Sequence, residues 1–180
     1  MPPSPLKAVL IVAPHGYQEL EYQMPKQILE KAGILTTTAS RKSGKCLGHA
    51  GGSTTANLSL DQVHVDEYDI ILFVGGPGAV LYQHDAEAHR IAQEAIQKKK
   101  LLTAICIAPT ILAYAGVLQG KKATVWNADG EQQAVLEKNG ATYTGEDLTL
   151  DGSILTANGL AMAGKFGKKI VEVTIGLAEK

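Results

Sequence analysis

Leu101-Leu102-Thr103-Ala104-Ile105 runs without a charge into Cys106, and after Ile107-Ala108 comes Pro109-Thr110-Ile111-Leu112-Ala113. A short apolar run, bounded by Lys98-Lys99-Lys100 on one side and a turn on the other, suits a central parallel strand covered on both faces. Pro109 suits the first turn of a helix, where its missing N–H costs little. The stretch therefore predicts a strand, an abrupt turn and a helix, with Cys106 at the turn. Ligands of open α/β sheets bind at the carboxyl ends of strands. Unpaired N–H groups and the helix dipole at such a turn also favour a thiolate. The pattern alone fits a second reading equally well, because cysteine is among the most buried residue types and packs as a small hydrophobe.

The rest of the chain alternates in kind. Residues 7–13 (KAVLIVA) predict a buried first strand, broken by Pro14-His15-Gly16. Leu20, Met24, Ile28 and Leu29 recur at helical spacing up to the stop signal Gly33. Pro25 predicts that this helix kinks or restarts there, with Glu21 on a short preceding turn. Residues 34–40 predict a second strand, and the glycines between 43 and 53 a hairpin excursion. Residues 69–74 form the third strong strand, followed at once by Gly75-Gly76-Pro77-Gly78. Such a glycine turn lets backbone N–H groups cradle an anion, or is simply tight. A polar helix over 85–99 with the stripe Ala88, Ile91, Ala92, Ala95 and Ile96 leads into the Cys106 strand. Further on come a strand over 122–126, a helix over 131–139, strands over 141–144, 148–150 and 153–156 with an Asp151-Gly152 turn, and a last helix with Phe166, Ile170, Val173 and Leu177 on one face.

Strands alternating with helices imply an α/β fold, a mostly parallel sheet between helical layers. One domain over residues 7–180 accommodates this, with residues 1–6 as a flexible N-terminal tail. Glu21 lies just past the first strand, Gly75-Gly76 after the third and Cys106 at the end of the fourth. In a doubly wound sheet such ends gather in one crevice. A net charge of -1 gives no electrostatic reason for nucleic-acid or membrane binding. The two cysteines, Cys46 and Cys106, make neither a disulfide framework nor a zinc spacing. That usage fits a reducing cytoplasmic setting, and the start of the chain lacks the pattern of a secretory signal.

The stretches HGYQELEYQMPKQILEKAGI, YDIILFVGGPGA and LLTAICIAPTILAYAGVLQGKKAT, in this order and with these flanking strands, resemble the ThiJ/PfpI superfamily. The resemblance spans residues 7–177. It implies a flavodoxin-like three-layer α/β/α sandwich, usually a homodimer, and no metal or organic cofactor. It also implies a nucleophilic or oxidation-sensitive Cys106, a carboxylic acid at Glu21 beside the sulfur, and an oxyanion-type pocket built from the backbone around Gly75, Gly76 and Ile107. Burial of Glu21 would raise its pKa and keep it able to donate or shuttle a proton. Glu19, two residues away, is expected to face elsewhere.

Two positions depart from the family pattern. The protease-like branch carries histidine after the cysteine, where this chain has Ile107. The Parkinson-type branch carries a pocket histidine where this chain has Trp126, which suits an apolar wall but not a base. Of the five histidines, His15 is the best candidate for a compensating base, although a solvated loop histidine is the commoner reading of such a position. His49 would reach only a pocket rim or an interface, His84 and His89 are expected in solvent, and His64 gives no signal. Cys46 lies in a polar Gly/Lys segment; exposure there would open it to oxidation, and nothing near it points to catalysis.

Three functions follow. The first is glyoxalase- or deglycase-like action on small carbonyl compounds, with a small-molecule substrate, Cys106 as nucleophile and Glu21 as acid/base. The second is a non-enzymatic redox sensor or chaperone whose partner is an oxidant. The third is a cysteine hydrolase, either a peptidase or amidase or an isonitrile hydratase-like enzyme. Loss of the histidine at position 107 weighs against the peptidase.

Overall fold

The protein is described by a computed structural model covering the backbone of residues 2–178 and the side chains of residues 2–176. In chain order, β1 (Lys7–Ile11) leads through a short strand, β2 (His15–Tyr17), into α1 (Glu19–Lys31) and β3 (Leu35–Ser40). The hairpin β4 (Gly44–Gly48) and β5 (Ser53–Ala56) precedes β6 (Leu58–Ser59), β7 (Ile70–Phe73) and α2 (Ala86–Gln97). Then come β8 (Leu101–Ile105), α3 (Pro109–Tyr114), β9 (Lys122–Ala123), α4 (Gln132–Lys138), β10 (Thr142–Tyr143), the hairpin β11 (Leu148–Asp151) and β12 (Ile154–Ala157), and α5 (Ala163–Ala178).

Seven strands form the main sheet in the order β11-β12-β8-β7-β1-β3-β6, and all pair in parallel except β11 with β12. Among the parallel strands, sequence order reverses between β3-β1 and β1-β7-β8-β12, the flavodoxin-like winding. Every residue of β7, β8 and β12 is buried, as a sheet covered on both faces requires. Helices α1 and α5 pack against each other, as do α2 and α3. The fold is the flavodoxin-like α/β sandwich expected from the sequence.

Several local expectations are corrected. α1 is continuous through Pro25 rather than restarting there. Pro25 is buried, and the backbone of α5 comes close enough that a Cβ on Gly167 would lie 3.0 Å from its Cα. Tertiary packing thus offsets a penalty of about 3 kcal/mol for an interior helix proline. The buried stripe of α1 is also rotated from the one expected. Leu20 and Met24 are 47% and 37% exposed, while Glu21, Tyr22, Pro25 and Leu29 face inward. His15 to Tyr17 form a strand against β4 rather than a plain break. Cys46 is buried at 1% exposure because β4 turns it toward the core, so the exposure that would open it to oxidation is not met. Only residues 122 and 123 of the predicted 122–126 strand pair in a ladder, with β10. The Leu6 carbonyl accepts the Leu35 N–H at 2.9 Å. The side chain of Leu177 lies outside the described residues. Among the described residues no helix is long and apolar enough to cross a membrane.

Candidate active site

β1, β7 and β8 are neighbours, so their carboxyl ends bring three distant stretches together. Cys106 follows β8 with φ +65°, the left-handed region that L-residues other than Asn and Asp rarely enter. The conformation costs about 1–2 kcal/mol and needs support from its surroundings. Both backbone groups of Cys106 are used for this. Its N–H donates to the Ala157 carbonyl at 2.9 Å, and its carbonyl accepts the Trp126 N–H at 2.9 Å. The ends of β12 and of the 124–126 segment therefore clamp the turn from two sides. Pro109 and Ala108 begin α3 directly behind it.

Glu21 reaches the same point from α1. The chain ahead of it is fixed against the Gly75-Gly76-Pro77-Gly78 turn. Gln18 N–H donates to the Gly75 carbonyl at 3.0 Å, and the Gln18 side chain caps α1 by accepting from Leu20 N–H at 3.1 Å. Gly76 has φ +109°, and a Cβ there would lie 2.5 Å from the Gly16 carbonyl oxygen and 2.5 Å from Gln18 N. Only glycine permits that approach. A Cβ on Gly75 would overlap Oε1 of Glu21 and sit 2.6 Å from Cys106 Cβ. The missing side chain at position 75 is the space in which sulfur and carboxyl meet.

Glu21 is fully buried, and among the described residues neither of its oxygens has a conventional hydrogen-bond partner. Burial pushes its pKa up to about 7, and the neighbouring Cys106 thiol, which can donate to the carboxylate, offsets part of the rise. The Cys106 pKa is pushed up to about 12, by burial first and then by the charge of Glu21, while the N–H groups of Gly76 and Ile107 favour the anion. Two acids this close in a desolvated site do not both ionise at neutral pH, so the pair carries at most one negative charge. That charge sits on the carboxyl or on the sulfur, and a proton passing between the two moves it.

The sulfur opens on a cavity of about 530 Å³. Ile107, Trp126, Pro77, Val80 and Leu160 make its walls apolar. Gln18, Glu21, Cys106 and His49 are its side chains with polar heads. Cys106, Glu21, Gly76, Ile107 and Trp126, singled out from sequence, thus converge, with Gly75 directly behind the sulfur–carboxyl contact. His15 does not join them. It sits exposed on β2, outside this cavity, and its place as the nearby histidine is taken by His49. His84 is exposed as expected, packed on Tyr114 with ring centroids 4.4 Å apart, whereas His89 is half-buried against the Gln83 carbonyl. Among the described residues no group of three or more His, Cys, Asp or Glu side chains is arranged to hold a metal ion.

Glu19 does face elsewhere, but it is not idle. Its carboxylate accepts from Ala50 N–H at 3.0 and 2.9 Å and from Gly52 N–H at 2.9 Å, holding the turn between β4 and β5. Burial pushes its pKa up, yet the donors at Ala50 and Gly52 outweigh that and leave it below its ordinary value. A Cβ on Gly52 would come within 2.9 Å of Glu19 Cγ, and one on Gly48 would collide with the carboxylate. Glycines at 48 and 52 flanking a short turn were the available signal; their partner lay about thirty residues upstream, beyond the reach of local patterns.

Residues 7–173 match the DJ-1/PfpI family. The chain is 32% identical over 167 residues to the Methanocaldococcus jannaschii protein MJ0967, covering 92% of this chain and 81% of that one. It is 30% identical over 147 residues to deglycase TK1284 of Thermococcus kodakarensis, covering 81% and 86%. The crystal structure of a ThiJ/PfpI domain protein from Brachyspira murdochii superposes with a TM-score of 0.91 at 26% identity, over 96% of this chain and 99% of that one.

Proposed function

The chain belongs to the DJ-1/PfpI family, and from that premise we propose that it is a cysteine-dependent enzyme acting on small carbonyl compounds, of glyoxalase or deglycase type. The observation that carries this reading is the buried Glu21 carboxyl, otherwise unpartnered among the described residues, set against the Cys106 sulfur on a mostly apolar cavity. The deglycase similar to this chain supports the same substrate class.

In this reading Glu21 accepts the thiol proton as sulfur adds to an aldehyde carbon. The C–S bond forms, the C=O π pair moves onto oxygen, and the N–H groups at Gly76 and Ile107 stabilise that oxygen. Glu21 then returns the proton to the oxygen, giving a hemithioacetal. A carboxyl whose pKa is near 7 suits both directions of this transfer. Ile107 supplies no base beside the sulfur, which disfavours a thiol peptidase. Lactate production from methylglyoxal by the pure protein, compared with Cys106→Ala and Glu21→Gln, tests the proposal. Equal turnover in all three would sink it.

A second reading has its own support in the protonatable Glu21. With peroxide as oxidant, Cys106 would pass to the sulfenic and then the sulfinic acid, each step reducing one peroxide to water, and Glu21 would donate to a sulfinate oxygen. Mass spectrometry after mild peroxide would show two oxygens gained at Cys106 ahead of other residues. Random oxidation would count against a sensor.

A further inference from the structure

We infer that His49 is the second proton-transfer group of this site, serving the end of the substrate remote from sulfur, and that Glu19 is the residue that positions it. This assignment rests on the dicarbonyl reading above and deepens it.

Among the described residues the cavity is lined by one thiol, one carboxyl and one imidazole, the last on the turn between β4 and β5. Glu21 is fully buried beneath the sulfur, whereas His49 is exposed at the opening. A dicarbonyl bound through its aldehyde carbon to Cys106 points its second carbonyl away from Glu21 and toward that opening. Among the described residues the His49 ring makes no hydrogen bond, so both its nitrogens are free to meet a substrate oxygen.

The turn beneath the ring is built rather than loose. His49 N–H donates to the Tyr17 carbonyl at 2.8 Å, and Gly48 N–H to the Gly52 carbonyl at 2.7 Å. The Glu19 carboxylate fills the turn and takes the Ala50 and Gly52 N–H groups. Glu19 and Glu21 sit at the start of one helix, so a single element sets both the buried acid and the loop carrying the imidazole.

The chemistry needs such a group. After the hemithioacetal forms, Glu21 takes the C1 proton, and the C1–H electron pair becomes a C1–C2 double bond. The C2 carbonyl π pair moves to its oxygen, which takes a proton from the His49 imidazolium. To complete the turnover, Glu21 gives its proton to C2, the C1 hydroxyl proton passes to the C2 oxygen as that oxygen returns its own proton to His49, and a C1 carbonyl forms. The product is a 2-hydroxy thioester on Cys106, which water cleaves to the 2-hydroxy acid and free thiol. Oxidation at C1 and reduction at C2 balance within the substrate, and each proton donor ends as it began.

Methylglyoxal turnover by the full chain tests this. His49→Ala alters an exposed side chain and leaves the turn's backbone bonds in place. Its kcat should fall at least about tenfold, the lower side of what general acid–base catalysis supplies, with KM changed less than about twofold. Added imidazole should restore part of the His49→Ala rate and none of the Glu21→Gln rate. His15→Ala, outside the cavity, should behave as wild type. Glu19→Gln should lower kcat while speeding amide exchange at Ala50, a coupling that a merely structural carboxylate would not show in kcat. His49→Ala turnover at the wild-type level, or imidazole acting equally on both variants, overturns the assignment and leaves the dicarbonyl reading standing. A wild-type protein without turnover removes both.

Discussion

The Glu21 carboxyl and the Cys106 sulfur, 85 residues apart in sequence, share the space that a side chain at position 75 would otherwise fill. The contact joins α1 to the β8–α3 turn across the end of β7. It is held by backbone: a strained cysteine clamped by the end of β12 and by the Trp126 N–H, and a glycine turn packed against the chain before α1.

Burying Glu21 makes stability depend on pH in a direction opposite to most carboxylates. Its pKa rises from 4.5 to about 7 on folding. Below pH 4.5 both folded and unfolded chains hold the proton and nothing is lost. Between 4.5 and 7 the unfolded chain releases it first, so stability falls. Above 7 the loss levels off at about 3 kcal/mol, as an order of magnitude. Denaturant unfolding of the wild type and Glu21→Gln across this range should show the variant gaining on the wild type by about that amount. Parallel curves would mean the carboxyl is ionised in the fold.

Gly75→Ala should damage both stability and the site. The added methyl would overlap Glu21 Oε1 and crowd Cys106 Cβ and the Ile105 carbonyl. Overpacking of this kind costs roughly 1–3 kcal/mol. Calorimetry should show a lower Tm, and alkylation of Cys106 by a neutral reagent should change in rate. A Gly78→Ala variant, by contrast, should lose stability through the His15 carbonyl without touching the sulfur directly.

Position 106 carries a conformational cost that the thiol requires and the fold does not. At φ +65° alanine keeps the strain and glycine relieves it. Cys106→Gly should therefore be more stable than Cys106→Ala by about 1 kcal/mol, although both lack the nucleophile. Equal unfolding midpoints at equal m-values would show the turn relaxing when the sulfur is removed.

The architecture was legible because its strands are short apolar runs and its helices carry stripes of matching period. β7 and β8 read correctly to within two residues at either end, as did the β11–β12 hairpin. The meeting of Cys106, Glu21 and Gly76 was legible only through the order of strand ends and the family resemblance, since nothing near Glu21 marks it as buried. The hydrophobic stripe of α1 pointed the wrong way: Leu20 and Met24 made the better apolar face, yet the helix turns its carboxylate inward. Closeness to Glu21 in sequence favours His15 over His49. The hairpin brings His49 to the cavity by pairing β4 with β2, a contact between strands of 5 and 3 residues that local patterning does not encode.

Glu19→Gln offers the most direct check on how the turn carrying His49 is held. The wild-type carboxylate accepts from two backbone donors, Ala50 and Gly52, in a pocket made by the absence of side chains at 48 and 52. Replacing it with an amide keeps the shape but exchanges charge-assisted hydrogen bonds for neutral ones, and points an N–H₂ group at donors. A loss of about 1–2 kcal/mol at neutral pH follows. The Glu19 pKa is lowered by folding, so its contribution is present above its ordinary value of 4.5 and fades as the pH falls through the folded value. The difference between wild type and variant should therefore shrink toward acid, the opposite trend to Glu21→Gln. Hydrogen exchange should quicken at Ala50 and Gly52 while the amides of β7 and β8 keep their protection. Unchanged exchange at those two amides would mean that the short β2–β4 pairing alone fixes the turn.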